Sequence, residues 1–571
     1  MSLTEHTVDV VSQENTTTSI DIVMTATMWQ ALRAHLLRSS TGSHRSSPDE
    51  QLAFLLASVN RNMRGQRLLV REMLPAGPDD LVRQGPTGIA PRPEFVLQAL
   101  NRCKDESLHL IEVHSHPFSH GPGTTFSGID RANDREKMPG IAALLENFIH
   151  ATMVLGQDSL DAHFYDRATR RILPIARVVI VGFGPKSEGS GLRFIPISSA
   201  SEMVRSDRTA IDGRYHRQEL LFGREAQRRL ANATIAIVGL GGLGSFVALE
   251  LAHLGVGHLI LIDPDRIEET DLNRLPYVGA ADIGQTKVSV YEALLKRIAP
   301  AMRVEALASS IMDDAALALA KGADVLVGCL DNHGARMILN QLAVRYLIPL
   351  IDGGSGLKRI SAGAPLMAGG QVQVVLPGIG CLECRGFIDM RRATFDLAPP
   401  ELQAEERAHG YGMDEPAPAV ISLNGVIASA LVTEVMLLLA DSAIKSSPSL
   451  PPISVYNAFH RSLIAIEPHD FPDCLTCGSD GVQGIGDLAP VRVAASGNSE
   501  KSFAEDIPQN LTVTEEQDRP QEAEGSISIS PAQEKRGSPG VIKSLFGKSL
   551  RALSFRRKKD RDDGTRITRS S

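Results

Sequence analysis

The chain has 571 residues, too many for one hydrophobic core, and at roughly 150 residues per domain it predicts three or four pieces. Its formal charge of -8 at pH 7 excludes a protein that binds nucleic acid over its whole surface. The first residues lack the basic-then-apolar order of a secretion signal, which argues for a cytoplasmic setting and against a disulfide scaffold built from the six cysteines.

Residues 1–19 are polar and read as disordered. From 20 to 180, helical periods mix with short β-rich runs such as Leu108–Val113, Ala151–Leu155 and Arg177–Val181, which predicts an α+β domain. Within it, Glu50 to Leu56 reads as the start of an apolar helix. Residues 181–213 read as a linker, because Pro185 to Asp212 is rich in Gly, Ser and Pro. From 214 to 477, strands Thr234–Val238, His258–Ile262, Val325–Gly328 and Pro349–Asp352 alternate with helices, the first opening at Leu243. That alternation predicts a mostly parallel, doubly wound α/β sheet, so the chain as a whole is α/β and multidomain. The apolar stretch Ala417–Ala440 is interrupted by Asn424 and Glu434 and reads as a buried helix instead of a membrane span. Residues 478–571 lose apolar periodicity and read as a disordered tail with a basic end. Between Lys535 and Lys559 there are nine Lys/Arg and no acid; the segment reads either as a solvated tail or as an amphipathic helix for an anionic membrane surface or an acidic partner.

Two constellations carry chemistry. His114 and His116 lie at i and i+2 at the end of a strand, so both imidazoles point the same way. With an oxygen ligand from Asp130 they can hold a zinc that keeps one position for water. Glu50 can serve as general base, with Glu72 and Glu112 as alternatives, and Ser127 can donate to an oxyanion. The run His114-Ser115-His116-Pro117 followed by Ser127-x-x-Asp130 resembles the JAB/JAMM (MPN) metalloprotease motif over about residues 20 to 180, with Glu50 matching its upstream glutamate. The resemblance implies cleavage after the C-terminal glycine of a ubiquitin-like protein. Nine residues separate Pro117 from Ser127, a longer spacer than is usual there.

The second constellation is Gly239-Leu240-Gly241-Gly242-Leu243-Gly244, a loop between a strand and a helix whose N–H groups can receive phosphates. An earlier Val181-Gly182-Phe183-Gly184 run mimics it but leads into no helix. Asp263 ends the next strand, where a ribose-binding carboxylate belongs, and Arg274, Lys287 and Asp331 supply cations and a magnesium-binding carboxylate suited to a triphosphate. Arg214-Tyr215-His216-Arg217-Gln218, the glycine loop, Asp263-x-Asp265, Leu272-Asn273-Arg274, Gly284-x-x-Lys287, Asp331-Asn332 and two CxxC pairs follow one another as in the ThiF/MoeB family, which this stretch resembles. The resemblance implies ATP- and magnesium-dependent adenylation of a modifier's C-terminal glycine and a homodimer in which Arg217 reaches the other subunit's site. It also implies a structural zinc on Cys381, Cys384, Cys474 and Cys477. The family's Asn-Leu-x-Arg-Gln reads Asp271-Leu272-Asn273-Arg274-Leu275 here, which places an extra carboxylate by the phosphates.

Thioester-forming members carry a free cysteine between the CxxC pairs, and this chain has none there, so transfer to a separate conjugating enzyme or sulfurtransferase is expected. The segment Phe387 to Pro416 is expected to cross over the adenylate. The reading is therefore a bifunctional enzyme of a bacterial ubiquitin-like modifier pathway. Its alternatives are sulfur-carrier activation for thiamine, molybdopterin or cysteine synthesis, and a binding scaffold with dead sites.

Overall fold

In the computed structural model, which describes residues 19–37, 48–121, 123–144, 147–183, 190–195, 197–198, 213–359, 366–399, 401–404, 419–440, 453–466 and 473–491, two sheets share one continuous core. The expected disorder of 1–19 bears on a single described residue, Ser19, and the basic tail lies outside the described residues. The first part runs β1 (Ile20–Thr25), α1 (Ala26–Leu36), β2 (Leu52–Asn62), β3 (Gly65–Pro75), β4 (Leu81–Gly85), β5 (Gly88–Pro91), α2 (Pro93–Asp105), β6 (His109–Ser115), α3 (Gly128–Ala143), β7 (His150–Leu155), β8 (Leu160–Asp166), β9 (Arg171–Pro174), β10 (Arg177–Phe183) and β11 (Ser190–Ile195). Nine of these strands form one sheet in the order β11-β10-β1-β3-β2-β6-β7-β8-β9, and β4 with β5 makes a separate hairpin.

The helix expected from Glu50 is instead the lead into strand β2. Leu52 to Leu56 are buried without exception, flanked by β3 and β6, both antiparallel to it. A run that is apolar on every position has no period to read, so sequence alone cannot separate helix from buried strand. The expected linker also changes character: Val181 to Phe183 complete β10, and β11 pairs antiparallel with them. Gly182 is there for packing, since a Cβ on it would come within 2.6 Å of the Pro377 carbonyl oxygen and its φ is +105°.

The second part runs α4 (His216–Asn232), β12 (Thr234–Val238), α5 (Gly244–Leu254), β13 (His258–Ile262), α6 (Lys287–Ile298), β14 (Arg303–Leu307), α7 (Asp314–Ala320), β15 (Val325–Gly328), α8 (His333–Tyr346), β16 (Leu350–Arg359), β17 (Leu366–Val375), α9 (Met390–Asp396), α10 (Ile421–Ala440), β18 (Ile453–Asn457) and β19 (Ser462–Ile466). Its sheet has the order β14-β13-β12-β15-β16-β17-β18-β19. The strands are parallel from β14 through β16 and antiparallel beyond, so the Rossmann-like part occupies one side of the sheet. β12, β13 and β15 are buried along their whole length, as central strands covered on both faces must be. α10 is a core helix: Ile427, Leu431, Val435 and Leu438 are buried, and it packs on β16 and β17.

All described residues fall within one compact unit, Met1–Asn498, and its two halves are welded by buried charge. Asp324, just before β15, accepts from Arg67 at 2.9 Å, from Arg177 at 3.0 Å and from the Thr234 backbone N–H at 3.0 Å. Burial by itself would raise its carboxyl, but Arg177 and Arg67 outweigh that and hold it far below the usual range. Around this ion cluster Arg67 also donates to the carbonyls of Gly322 and Ala323, and Asn60 to that of Lys321. The tail expected to be disordered from 478 onward is ordered as far as 491 and completes the seam. Ser58 donates to the Gly484 carbonyl at 2.6 Å, and Asp487 accepts from the Arg61 N–H and from Lys321. These partners lie more than 160 positions away in sequence, so no local pattern announces them.

Asp324→Asn keeps the size of the group but leaves Arg67 and Arg177 to share the single carboxylate of Asp21. It is expected to lower the unfolding free energy by roughly 3 kcal/mol in urea denaturation. Because the folded carboxyl titrates below its unfolded value of about 3.9, this contribution is complete above about pH 4 and is lost as pH falls below it; the Asn variant is expected to lose less stability over that acid range.

Candidate metal and nucleotide sites

The strand order brings the ends of β2, β6 and β7 together, and the first site forms there. The Ser115 N–H donates to the Gln51 carbonyl, the Ser115 hydroxyl accepts from the Gln51 N–H, and the His116 N–H donates to the Leu155 carbonyl. His114 and His116 on either side of Ser115 thus project to one side, with ring centroids 5.2 Å apart. Asp130 comes from the first turn of α3, where it and Ser127 cap the helix reciprocally: Asp130 accepts from the Ser127 N–H at 2.8 Å, and the Ser127 hydroxyl accepts from the Asp130 N–H at 3.1 Å. Its Oδ2 lies 3.7 Å from His114 Nε2 and 3.5 Å from His116 Nε2.

Those spacings suit three ligands about 2.0–2.2 Å from a common zinc. The buried Nε2 of His114 has no hydrogen-bond partner, which is costly unless something else occupies its lone pair. Of the three glutamates, Glu72 is paired with Arg102 and Glu112 with Lys137, whereas Glu50 reaches to 4.0 Å from His116 Nε2. Burial raises its carboxyl above the ordinary value despite the two histidines, which pull it down. Its backbone is fixed by the β4–β5 hairpin, the N–H donating to Gly85 and the carbonyl accepting from Gln84. The long spacer after Pro117 folds over the turn at 158–159, where Asp158 accepts the Gly121 N–H and Ser159 the Thr124 N–H, so the extra residues leave the site intact.

The two CxxC pairs meet although some 90 residues separate them. Cys381 and Cys474 Sγ atoms are 3.8 Å apart, and those of Cys384 and Cys477 are 3.9 Å apart. A tetrahedron of thiolates about 2.3 Å from zinc has edges close to that. The sulfur cluster holds Cys384 down to about 4, through hydrogen bonds from Cys381 and Cys477. The remaining thiols, Cys103 and Cys329, are both pushed up by burial, Cys103 to about 12, so neither is a ready nucleophile.

At the other edge of the second sheet, the C-terminal ends of β12, β13 and β15 surround the glycine loop. Gly239 has φ +92° and a Cβ on it would meet the Cys329 carbonyl oxygen at 2.5 Å; one on Gly244 would collide with the Gly239 carbonyl. Asp263 is buried and both of its oxygens are used, accepting the Leu240 N–H at 2.6 Å and the Asp265 N–H at 2.8 Å, so it fixes the shape of the loop. Burial pushes its carboxyl up, partly offset by the Leu240 N–H and Lys287. Lys287 is 2.8 Å from Asp265, and Arg274 is 2.7 Å from Asp271. Asp331 is exposed at the end of β15, and Arg217 is exposed on α4. The crossing segment contributes α9, whose Asp396 accepts the Gly334 N–H at the start of α8; residues 405–418 lie outside the described residues.

Sequence reasoning passed over Arg336, Asp352 and Asn424. Arg336 joins Asp352 to the Leu330 carbonyl and so holds the strand end that presents Asp331. Asn424 accepts from Ser355 at 2.6 Å and lies against Gly242. Its signal was present, a polar interruption of an apolar helix, but it was read only as evidence about burial.

Residues 215–476 match the ThiF family. The vegetative HesA protein of Trichormus variabilis is 34% identical over 185 residues, 32% of this chain and 66% of that protein. The sulfur carrier protein adenylyltransferase of Thermus thermophilus is 36% identical over 142 residues, 24% of this chain and 52% of that protein. The SAMP-activating enzyme E1 of Haloferax volcanii is 28% identical over 292 residues, 51% of this chain and 97% of that protein. The chain thus spans 66% and 52% of the first two relatives, and its C-terminal part is a ThiF/MoeB-type domain.

Asp263→Ala removes the acceptor of two loop N–H groups. It is expected to lower stability by about 1–3 kcal/mol, read as a fall in the thermal midpoint.

Proposed function

We propose that this protein is a bifunctional enzyme acting on the C-terminal glycine of a small ubiquitin-like protein. Its ThiF/MoeB-type part would adenylate that glycine, and its N-terminal part would cleave after it as a zinc peptidase. The observation that carries the first activity is the coincidence of the ThiF match with a glycine loop whose N–H groups Asp263 holds in place. In the reaction a carboxylate oxygen of the glycine attacks the α-phosphorus of ATP, the bond from that phosphorus to the β-phosphate breaks, and pyrophosphate leaves. Gly239, Gly241, Gly242 and Gly244 with the start of α5 line the phosphates; Asp263 and Asp265 border the ribose; Arg274 and Lys287 neutralise phosphate charge. Asp331 is the carboxylate that would hold magnesium. A second copy would dock on the exposed Leu220 and Leu221 of α4 and Val426 of α10, bringing Arg217 to its partner's site.

For the peptidase, the carrying observation is the convergence of His114, His116, Asp130 and Glu50 at one strand edge. Zinc held by His114, His116 and Asp130 would supply a water acidic enough to ionise near neutral pH. Glu50 would be the acid/base that accepts a proton beside it and gives one to the leaving amine, and the Ser127 hydroxyl, which accepts in the helix cap, keeps its own proton for an oxyanion. Cleavage would either trim a precursor or remove the modifier from a target. With Cys103 buried, Cys329 half-buried and both thiols pushed up, the adenylate passes to a nucleophile on another protein, a conjugating enzyme or a sulfurtransferase. The sulfur-carrier reading of the same chemistry is favoured by the Thermus relative.

Metal analysis of the purified protein is expected to give two zinc ions per chain, one lost in His114→Ala and one in Cys384→Ser. Glu50→Ala is expected to abolish cleavage of a ubiquitin-like precursor while leaving ATP–pyrophosphate exchange with the glycine-ended form. Asp331→Ala is expected to do the reverse, and exchange that survived it would remove the magnesium assignment. Absence of exchange with every ubiquitin-like protein of the same genome would favour the scaffold reading.

A further inference from the structure

The adenylation site contains a carboxylate that its proposed reaction does not use. Asp271 is 2% exposed and closes the short turn 269–271, where it accepts the Glu268 N–H at 3.1 Å. It also pairs with Arg274, whose Nη2 is 2.7 Å away while Nη1 donates to the Thr270 carbonyl at 3.0 Å. The guanidinium is thus held before any ligand arrives. The stem of Arg274 lies against the glycine loop, since a Cβ on Gly242 would come within 3.6 Å of Arg274 Cβ.

Lys287 is engaged in the same way by Asp265. The two cations, Arg274 and Lys287, therefore face three carboxylates, those of Asp263, Asp265 and Asp271, which leaves this cluster with a formal charge of 2 − 3 = −1. An anionic pocket repels an uncomplexed triphosphate, and magnesium removes two units of charge from that ligand. Asp271 and Asp263 are the buried sources of that repulsion, and Asp271 occupies one of the two cations that would relieve it.

We propose that Asp271 makes nucleotide binding by this protein magnesium-dependent, because it neutralises Arg274 and so withholds it from a triphosphate that carries its full charge. This rests on the reading of the site as an ATP site. Asp271 acts through Arg274 as a positioning residue. Asparagine at 271 would keep an oxygen for the Glu268 N–H and remove the charge.

The test is calorimetric titration of the full chain with ATP in the presence of EDTA and with ATP plus excess magnesium. The wild-type protein is expected to bind ATP with magnesium and to bind it far more weakly in EDTA. Asp271→Asn is expected to tighten binding in EDTA by roughly ten-fold, the effect of one unit charge about 10 Å away at an effective dielectric near 20, and to change binding with magnesium much less. Asp271→Ser, also a cap acceptor, provides the same comparison if the Asn variant fails to fold. Equal wild-type affinity with and without magnesium would overturn the inference and leave the ATP site standing, as would a variant that weakens both titrations alike. Failure of the wild-type chain to bind ATP under either condition would overturn the ATP site and the inference together.

Discussion

A single buried carboxylate sets the arrangement of everything else in this protein. Asp324 begins the central strand β15 of the second sheet, ties that strand to the first residue of β12, and receives two arginines from the first sheet. A charge so deeply buried is tolerable only when its partners are held in place, and those partners come from β3 and β10. The two halves consequently share a core: Val23, Leu69, Val179, Val181 and Leu192 of the first sheet pack with the strands and helices of the second. The two halves are one folding unit.

The seam also decides which edges remain for chemistry. It occupies the N-terminal edge of the second sheet, where Asp324, Thr234 and Pro377 lie, so the glycine loop at the C-terminal ends of β12 and β13 faces away from it. On the first sheet, residues 58 to 67 of the β2–β3 hairpin make the contact together with Arg177 and Gly182 of β10, and Glu50 lies beyond the opposite end of β2. Each site therefore sits at strand ends that the weld leaves uncovered, where side chains can converge without giving up ladder hydrogen bonds.

Polar groups inside the fold follow the same economy. Asp134, on the buried face of α3, is bonded to His163 and Thr152, with Lys137 linking it to Glu112. This network fastens α3 to β6, β7 and β8, and α3 carries Ser127 and Asp130 at its start, so Asp130 is held as firmly as the two histidines on their strand. His150, wholly buried among these groups, is pushed down to about 4 by the loss of solvent and so remains neutral.

Much of the geometry of the candidate sites was legible in the sequence because it is written in short, local patterns. The His-x-His pair at a strand end, the Ser127-x-x-Asp130 cap, the glycine loop between β12 and α5, and the CxxC pairs each depend on spacings of a few residues that backbone geometry fixes by itself. The parallel order of the Rossmann-like half was legible for the same reason, from apolar strands alternating with helices. What the sequence could not decide were matters of long range. Leu52–Leu56 became a strand because β3 and β6 pair with both its edges; 190–195 became a strand because β10 offered an edge; Gly484 and Asp487 became ordered because β2 and α8 supplied partners. Asp324 and Arg67 are unremarkable as letters, more than 250 residues apart, and only the tertiary structure makes them a pair, because burial turns a weak surface attraction into a constraint that both halves must satisfy.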